Sequence, residues 1–182
     1  MKNSIIILIL VLVATVVAIS LYLKKGSEEG IGSAKTKNRP PKLRIVYSKK
    51  LKTADRQKIS SSADAYRLLK DIWSKQIETR EEMLVLLLDR SNNVLGYHLL
   101  SVGGITGTVA DLRLLFSVAL ESLATSVILS HNHPSGNLSP SEQDTTLTRK
   151  IKEAGVIMDI TLLDHLIITN EGYYSFADEG II

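Results

Sequence analysis

What the sequence lacks already narrows the kind of protein it encodes. The chain of 182 residues contains no cysteine, so it forms no disulfide bond. This absence agrees with a cytoplasmic domain without requiring one, because many exported domains also lack cysteine. No internal repeat is evident, which argues against a repeat array. The glycine-rich run at residues 103–107 has neither the spacing nor the lysine of a phosphate-binding loop, which argues against nucleotide binding.

The chain also lacks a strong excess of positive charge. Its formal net charge is +3, and much of the basic excess lies in residues 24–42. A nucleic-acid-binding domain usually carries a basic stripe on its folded surface. Residues 43–58 contain a basic cluster, which we interpret as a solvated surface: Arg44, Lys49, Lys50, Lys52, Arg56 and Lys58. Nucleic acid is therefore a disfavoured partner.

One long apolar run, free of charge, occupies residues 4–23. Twenty helical residues rise about 30 Å, which matches the hydrocarbon thickness of a bilayer. Tyr22 lies near the downstream end, where interfacial aromatic residues are common. The run is longer than the apolar part of a cleaved signal peptide, which spans about 7–15 residues. We therefore predict a retained transmembrane helix that contacts the lipid bilayer.

Flanking charge predicts the orientation of this helix, because positive residues tend to stay on the cytoplasmic side of a membrane. One lysine precedes the run, and a group of basic residues follows it: Lys24, Lys25, Lys35, Lys37, Arg39 and Lys42. We predict a single-pass membrane protein with a cytoplasmic C-terminal domain. Its segments would be an anchor at 1–23, a flexible basic linker at 24–42 and a folded domain at 43–182.

The segment 43–182 predicts one mixed α/β (α+β) domain of ordinary size. Apolar alternation and turn signals indicate strands at 43–47, 83–89, 94–101, 125–130, 156–168 and 172–176. Capping signals indicate helices from Ser62 as N-cap to about Ser74, from Asp111 to about Ala124, and from Pro140 to about Ala154, with Gly155 at the C′ position.

The strongest functional signal is the run His131-Asn132-His133-Pro134, followed by Ser141 and Asp144. The run continues a predicted buried strand, and residues i and i+2 of an extended chain point to the same side, so both imidazoles can converge on one point. With the Asp144 carboxylate they form a three-ligand metal site, which leaves one coordination position open for water, as in catalytic zinc sites. The two other histidines are interpreted as structural: His98 and His165.

A helix start is expected to hold the carboxylate in place. Ser139 as N-cap, Pro140 at the first helical position and Glu142 at the capping-box position predict a rigid helix N-terminus. Ser141 and Asp144 would lie on one face of its first turns. The helix would therefore aim Asp144 back toward the two histidines.

At these residues the sequence resembles the JAMM motif of MPN-domain metalloproteins, and more closely their bacterial RadC-like branch. The resemblance rests on residues 130–137, 140–144 and 163–168. It covers roughly residues 60–182. It implies the MPN fold, a mixed curved sheet with flanking helices.

The same resemblance implies a zinc site with one ion per chain. Its ligands would be His131, His133 and Asp144, and Ser141 would help to hold the water or the developing oxyanion. Two imidazoles and one carboxylate also suit Fe(II) and other divalent metals.

In peptidase members of the family an upstream glutamate acts as general base, and this chain offers two adjacent candidates, Glu81 and Glu82. Successive strand residues face opposite ways, so at most one of them can face the metal. The RadC-like register favours Glu81, whereas comparison with eukaryotic members favours Glu82. The third interpretation is that both are solvated residues where the strand begins. We favour Glu81.

Together these features predict a membrane-anchored, zinc-dependent metallohydrolase, a JAMM-type metallopeptidase or isopeptidase acting on an unspecified peptide or protein. Two alternatives stay open. One is a metal-binding MPN scaffold without turnover, and the other is a RadC-like DNA-repair accessory protein. Full-length RadC-like proteins also carry a helix-hairpin-helix region, whereas this chain has the apolar run and the linker in that place, which weakens the case for DNA binding.

Overall fold

A computed structural model describes residues 52–103 and 110–182. After a short 3₁₀ helix at Thr53–Asp55, the described residues form three α-helices and five strands. Their bounds, in chain order, are α1 Ser62–Ile72, β1 Glu82–Leu88, β2 Val94–Val102, α2 Leu112–Glu121, β3 Ser126–Asn132, α3 Glu142–Met158, β4 Thr161–Ile168 and β5 Tyr173–Ser175.

The five strands form one mixed sheet in the order β2-β1-β3-β4-β5. β1 pairs antiparallel with both β2 and β3, whereas β3 and β4 are parallel. Parallel neighbours need a crossover connection, and α3 provides it between β3 and β4. The mixed α+β fold predicted from the sequence is confirmed.

Both faces of the sheet are covered at β1, which explains the run of six apolar residues that follows Glu82 in that strand. Met83, Val85 and Leu87 belong to one hydrophobic cluster, together with side chains of α2 and α3. Leu84 and Leu86 belong to a second cluster, together with side chains of α1. The alternation along β1 therefore separates a face covered by α2 and α3 from a face covered by α1.

The helix that follows the histidine run begins two residues later than predicted. Its N-cap is Ser141 rather than Ser139, and the reciprocal capping box is closed by Asp144 rather than Glu142. A capping box needs hydrogen bonds in both directions, which only the Ser141 and Asp144 pair makes here. The first predicted helix is capped by Ser61, one residue before the predicted Ser62.

The predicted end of this helix at Ala154, with Gly155 at C′, is wrong. The helix continues to Met158, and Asp159 ends it in the left-handed conformation with φ 56° and ψ 37°. The strand predicted to begin at residue 156 therefore begins at Thr161. An aspartate tolerates this conformation better than most side chains do, which allows the helix to end without glycine.

Gly155 is instead required by close packing, and its replacement should destabilise the domain. A Cβ added there would lie 2.4 Å from the Ile160 carbonyl oxygen. We expect Gly155→Ala to lower the free energy of unfolding by about 2 kcal/mol, since overpacking shifts the backbone. Urea denaturation measures the loss, with Gly172→Ala as the control variant. A Cβ at Gly172 would meet only Leu138 Cδ1, at the ordinary contact distance of 3.6 Å. Equal losses in the two variants would contradict it.

The described structure does not support the predicted membrane localisation. Within residues 52–103 and 110–182, no helix is long and apolar enough to cross a membrane. The predicted anchor at 4–23, the linker at 24–42 and the strand at 43–47 lie outside the described residues. The assignment as a single-pass membrane protein with a cytoplasmic domain is not retained.

Candidate metal centre

The two motif histidines lie where β3 ends. His131 belongs to the strand, where it pairs with Met83 of β1 and with Ile167 of β4. The His133 backbone N–H donates to the Ile168 carbonyl at 3.1 Å, so the chain stays tied to β4 for one residue past the strand. Two side chains at i and i+2 of extended backbone share a face of the sheet, the face covered by α3.

The third donor comes from the first turn of α3, and the three groups meet at one point. The distance from His131 Nε2 to His133 Nε2 is 3.0 Å, and from His131 Nε2 to Asp144 Oδ1 it is 3.2 Å. His133 Nε2 lies 3.8 Å from Asp144 Oδ2. Ligand atoms about 2.0–2.2 Å from a tetrahedral zinc are about 3.4 Å apart. The three side chains therefore lie close enough together to hold a divalent metal ion, and their spacing suits one of the size of zinc.

The tautomer of His133 leaves its Nε2 able to bind a metal ion. Its Nδ1 lies 2.6 Å from the Asn137 carbonyl oxygen, which can only accept a hydrogen bond. Nδ1 therefore carries the proton, and in the neutral ring Nε2 has a free lone pair. A backbone carbonyl on the distal nitrogen is a common way of orienting a metal-binding histidine.

Asp144 is held as a carboxylate. Its Oδ2 accepts hydrogen bonds from the Ser141 backbone N–H at 2.7 Å and from the Ser141 hydroxyl at 2.6 Å. Burial raises the pKa of Asp144, but its interaction with the nearby His131 imidazole and the two bonds from Ser141 outweigh burial and hold that pKa far below its ordinary value. The carboxylate is thus ionised and ready to bind a cation at neutral pH.

A cavity of about 620 Å³ opens over the three donors. Its walls combine polar and apolar side chains from the start of β1, the end of β3 and the first turns of α2 and α3, with the residues next to them: Glu81, Met83, Ala110, Leu112, His131, His133, Ser141, Glu142, Gln143, Asp144, Thr146, Leu147 and Lys150. Among the described residues, His131, His133 and Asp144 form the one group of three or more acidic or histidine side chains close enough to share a metal ion. His98 of β2 is not part of it.

Comparison with known proteins agrees with this geometry. The family model described as the RadC-like JAB domain matches residues 59–181. The chain belongs to this family. A UPF0758 protein of Flavobacterium johnsoniae is 52% identical over 125 residues, which are 69% of this chain and 54% of the relative. UPF0758 proteins of Porphyromonas gingivalis and Thermotoga maritima are 39% and 36% identical over 161 and 124 residues. These alignments cover 86% and 68% of this chain, and 69% and 54% of the two relatives.

The RadC-like JAB domain thus accounts for most of the described chain. The match to the Flavobacterium protein spans about half of that relative's length, 54%. All of the candidate site residues lie inside the matched segment. The JAMM-type resemblance predicted from the sequence is therefore confirmed at the level of the family.

Within this RadC-like domain, the two candidate glutamates lie in different surroundings. Glu81 lines the cavity, and its carbonyl accepts from the Gly103 N–H at 2.8 Å, so strand pairing extends to it. Glu81 lies two residues before Met83, the partner of His131, and therefore on the same face.

Glu82 is on the other face and is 2% exposed. The Ser74 hydroxyl donates to its Oε2 at 2.7 Å, and Arg80 Nε lies 3.6 Å from its Oε1. Glu82 does not line the cavity. Its partners tie the end of the α1 segment to β1.

Asn132, which lies between the two histidines in the sequence, also faces away from the donors. Its side chain binds the backbone of the segment that leads into β1. Its side-chain oxygen accepts from the Glu82 backbone N–H at 2.7 Å. Its amide nitrogen donates to the carbonyls of Ile77 and Arg80 at 2.6 Å and 2.9 Å. This fan of hydrogen bonds positions the start of β1, and with it Glu81, against the end of β3.

Sequence reasoning missed one residue that contacts the site. His165 of β4, interpreted as structural, is fully buried, and its Nε2 lies 2.9 Å from His131 Nδ1. Complete burial, followed by the interaction with His131, lowers the pKa of His165 well below its ordinary value, so the ring is neutral. His165 could have been recognised as a neighbour of His131 only from the pairing of β4 with β3, and the strand order of the sheet is needed to know that pairing.

Proposed function

We propose that this chain is a metal-dependent hydrolase of the JAMM type that cleaves amide or isopeptide bonds in a peptide or protein. The observation that carries the proposal is the convergence of two imidazole nitrogens and one ionised carboxylate beneath a cavity that also contains Glu81. His131, His133 and Asp144 would hold the zinc. When bound, zinc supplies Lewis acidity and lowers the pKa of water from about 16 to about 7.

Glu81 is proposed as the general base. Its carboxylate accepts one proton from the attacking water while the water oxygen forms a bond to the carbonyl carbon. The same carboxyl group then returns the proton to the leaving nitrogen as the carbon–nitrogen bond breaks. The products are a carboxylic acid and a free amine, so the atoms of one water molecule are consumed for each bond cleaved.

Ser141 is proposed to stabilise the charge that develops on the carbonyl oxygen. Its side chain lines the cavity, and its hydroxyl hydrogen now points at Asp144. Rotation about the Cβ–Oγ bond would redirect that hydrogen toward the oxyanion, while the backbone N–H of Ser141 keeps its own bond to Asp144. A donor placed at the site of developing charge contributes to catalysis without having to reorganise solvent.

The test is hydrolysis by the full chain in metal-free and zinc-loaded form. A peptide library and lysine-linked isopeptides are incubated with each form, and new amino termini or free lysines are identified by mass spectrometry. We expect cleavage by the zinc form, loss of cleavage after chelation, and recovery with one equivalent of zinc. A protein that binds zinc and cleaves neither class would contradict the hydrolase and favour the scaffold.

A further inference from the structure

A buried chain of hydrogen bonds connects His131 to the helix that carries Asp144. His131 Nδ1 lies 2.9 Å from His165 Nε2. His165 Nδ1 lies 2.6 Å from the Thr148 hydroxyl oxygen. The Thr148 hydroxyl donates to the backbone carbonyl of Asp144 at 2.6 Å. Thr148 and His165 are 1% and 0% exposed, so water does not compete for these bonds.

The protons in this chain can be assigned from one end to the other. The Asp144 carbonyl only accepts, so it takes the single hydroxyl hydrogen of Thr148. The Thr148 oxygen must then accept from His165, which places the His165 proton on Nδ1. A neutral imidazole carries one N–H, so His165 Nε2 is an acceptor, and His131 Nδ1 must be the donor.

We propose that Thr148 and His165 are positioning residues that fix the proton of His131 on Nδ1 and so reserve the Nε2 lone pair of His131 for the metal. The proposal rests on the metal centre of the proposed function but adds residues to it. Outer hydrogen bonds of this kind set the tautomer and the orientation of a ligating histidine. Here the last acceptor of the chain is the backbone of Asp144 itself, so two ligands are coupled through one buried path.

The hydrogen-bond chain matters because His131 has a competing tautomer, with its proton on Nε2. If Nδ1 of neutral His131 lost its acceptor, the ring could place its proton on Nε2 and donate to Asp144 Oδ1, which is 3.2 Å away. That arrangement would satisfy both groups without a metal and would block the lone pair. The Thr148 and His165 chain disfavours it, since it would leave His165 Nε2 without a donor in a fully buried position.

The direct test is the tautomer of His165 in the unmodified full chain. Long-range ¹H–¹⁵N NMR spectra of imidazole rings distinguish a protonated from an unprotonated ring nitrogen. We expect a protonated Nδ1 and an unprotonated Nε2 in His165, both in the metal-free protein and after zinc is added. A proton on His165 Nε2 would overturn the proposal whether or not the protein hydrolyses anything.

The second test is zinc affinity after removal of the Thr148 hydroxyl, measured by competition with a chromophoric chelator. We expect Thr148→Val to bind zinc about 10–100-fold more weakly, and Thr148→Ser, which keeps the hydroxyl, to bind as the unmodified chain does. Thr145→Val is the matched control, because its hydroxyl donates to the Ser141 carbonyl on the same helix, at 3.1 Å, and does not bond His165.

These measurements separate the two levels of inference. If Thr148→Val binds zinc as tightly as the unmodified chain and leaves the His165 proton on Nδ1, the positioning role is wrong. If the unmodified chain binds no zinc, the proposed function fails, while the His165 tautomer still tests the hydrogen-bond chain. If Thr148→Val does not fold, the NMR measurement on the unmodified chain decides alone.

Discussion

Replacing Glu81 with glutamine is expected to lower amide hydrolysis by about 10²–10⁴-fold, the usual contribution of a positioned general base. Glutamine keeps the size and the hydrogen-bonding oxygen of glutamate but cannot take a proton. Because Glu81 is not among the three donors, the variant should still bind one zinc ion per chain. The loss should appear in kcat rather than in metal content, and parallel steady-state kinetics and elemental analysis would measure both.

The matched control for this variant is its neighbour, Glu82→Gln. Glu82 is buried on the opposite face of β1, where it bonds Ser74 and lies near Arg80. We expect this variant to keep its turnover and to lose stability by about 1–3 kcal/mol, the usual cost of weakening a buried charged hydrogen bond. Urea denaturation separates that loss from catalysis. If Glu82→Gln abolishes turnover in a folded protein and Glu81→Gln does not, the assignment of the base is wrong.

Removal of a metal ligand is expected to have a comparably large effect, on metal content itself. The variants His131→Ala and Asp144→Asn should fall from about one zinc per chain to none after dialysis, because each leaves an incomplete set of strong donors. The two variants change donor groups that lie side by side, since His131 Nε2 is 3.2 Å from Asp144 Oδ1. Elemental analysis of the full chain measures the change directly.

His98→Ala controls for the loss of an imidazole that is outside the centre. His98 lies on β2 opposite Val85 and is not part of the donor group. The His98→Ala variant should still bind about one zinc ion per chain. A ligand variant that retained full zinc content would show that the metal lies elsewhere, and the proposed function would lose its basis.

Zinc should also stabilise the unmodified protein and not the ligand variants. A ligand that binds the folded state alone adds about 2.7 kcal/mol of stability at a concentration one hundred times its Kd. Thermal unfolding with and without zinc would show this as a rise in Tm for the unmodified chain and for His98→Ala. The same rise in His131→Ala would indicate binding at another place.

Much of the candidate metal centre could be predicted because its determinants are local. His131 and His133 are two residues apart on extended backbone, so their common face follows from strand geometry alone. Asp144 follows within one turn of a helix start that polar residues and Pro140 announce. The predicted N-cap, Ser139, is only two residues from the observed one, Ser141. Several adjacent polar residues can cap a helix, and the sequence does not rank them.

The sequence by itself thus determined the mixed α+β class, the three candidate metal ligands and the family to which the chain belongs. Tertiary structure alone decided which of Glu81 and Glu82 shares the cavity, because the facing of a strand residue depends on its register with the neighbouring strand. It also decided the place of His165, which lies 34 residues from His131 along the chain and contacts it only through the parallel pairing of β3 and β4. Local periodicity carries no information on such pairings, since they arise when distant segments pack together.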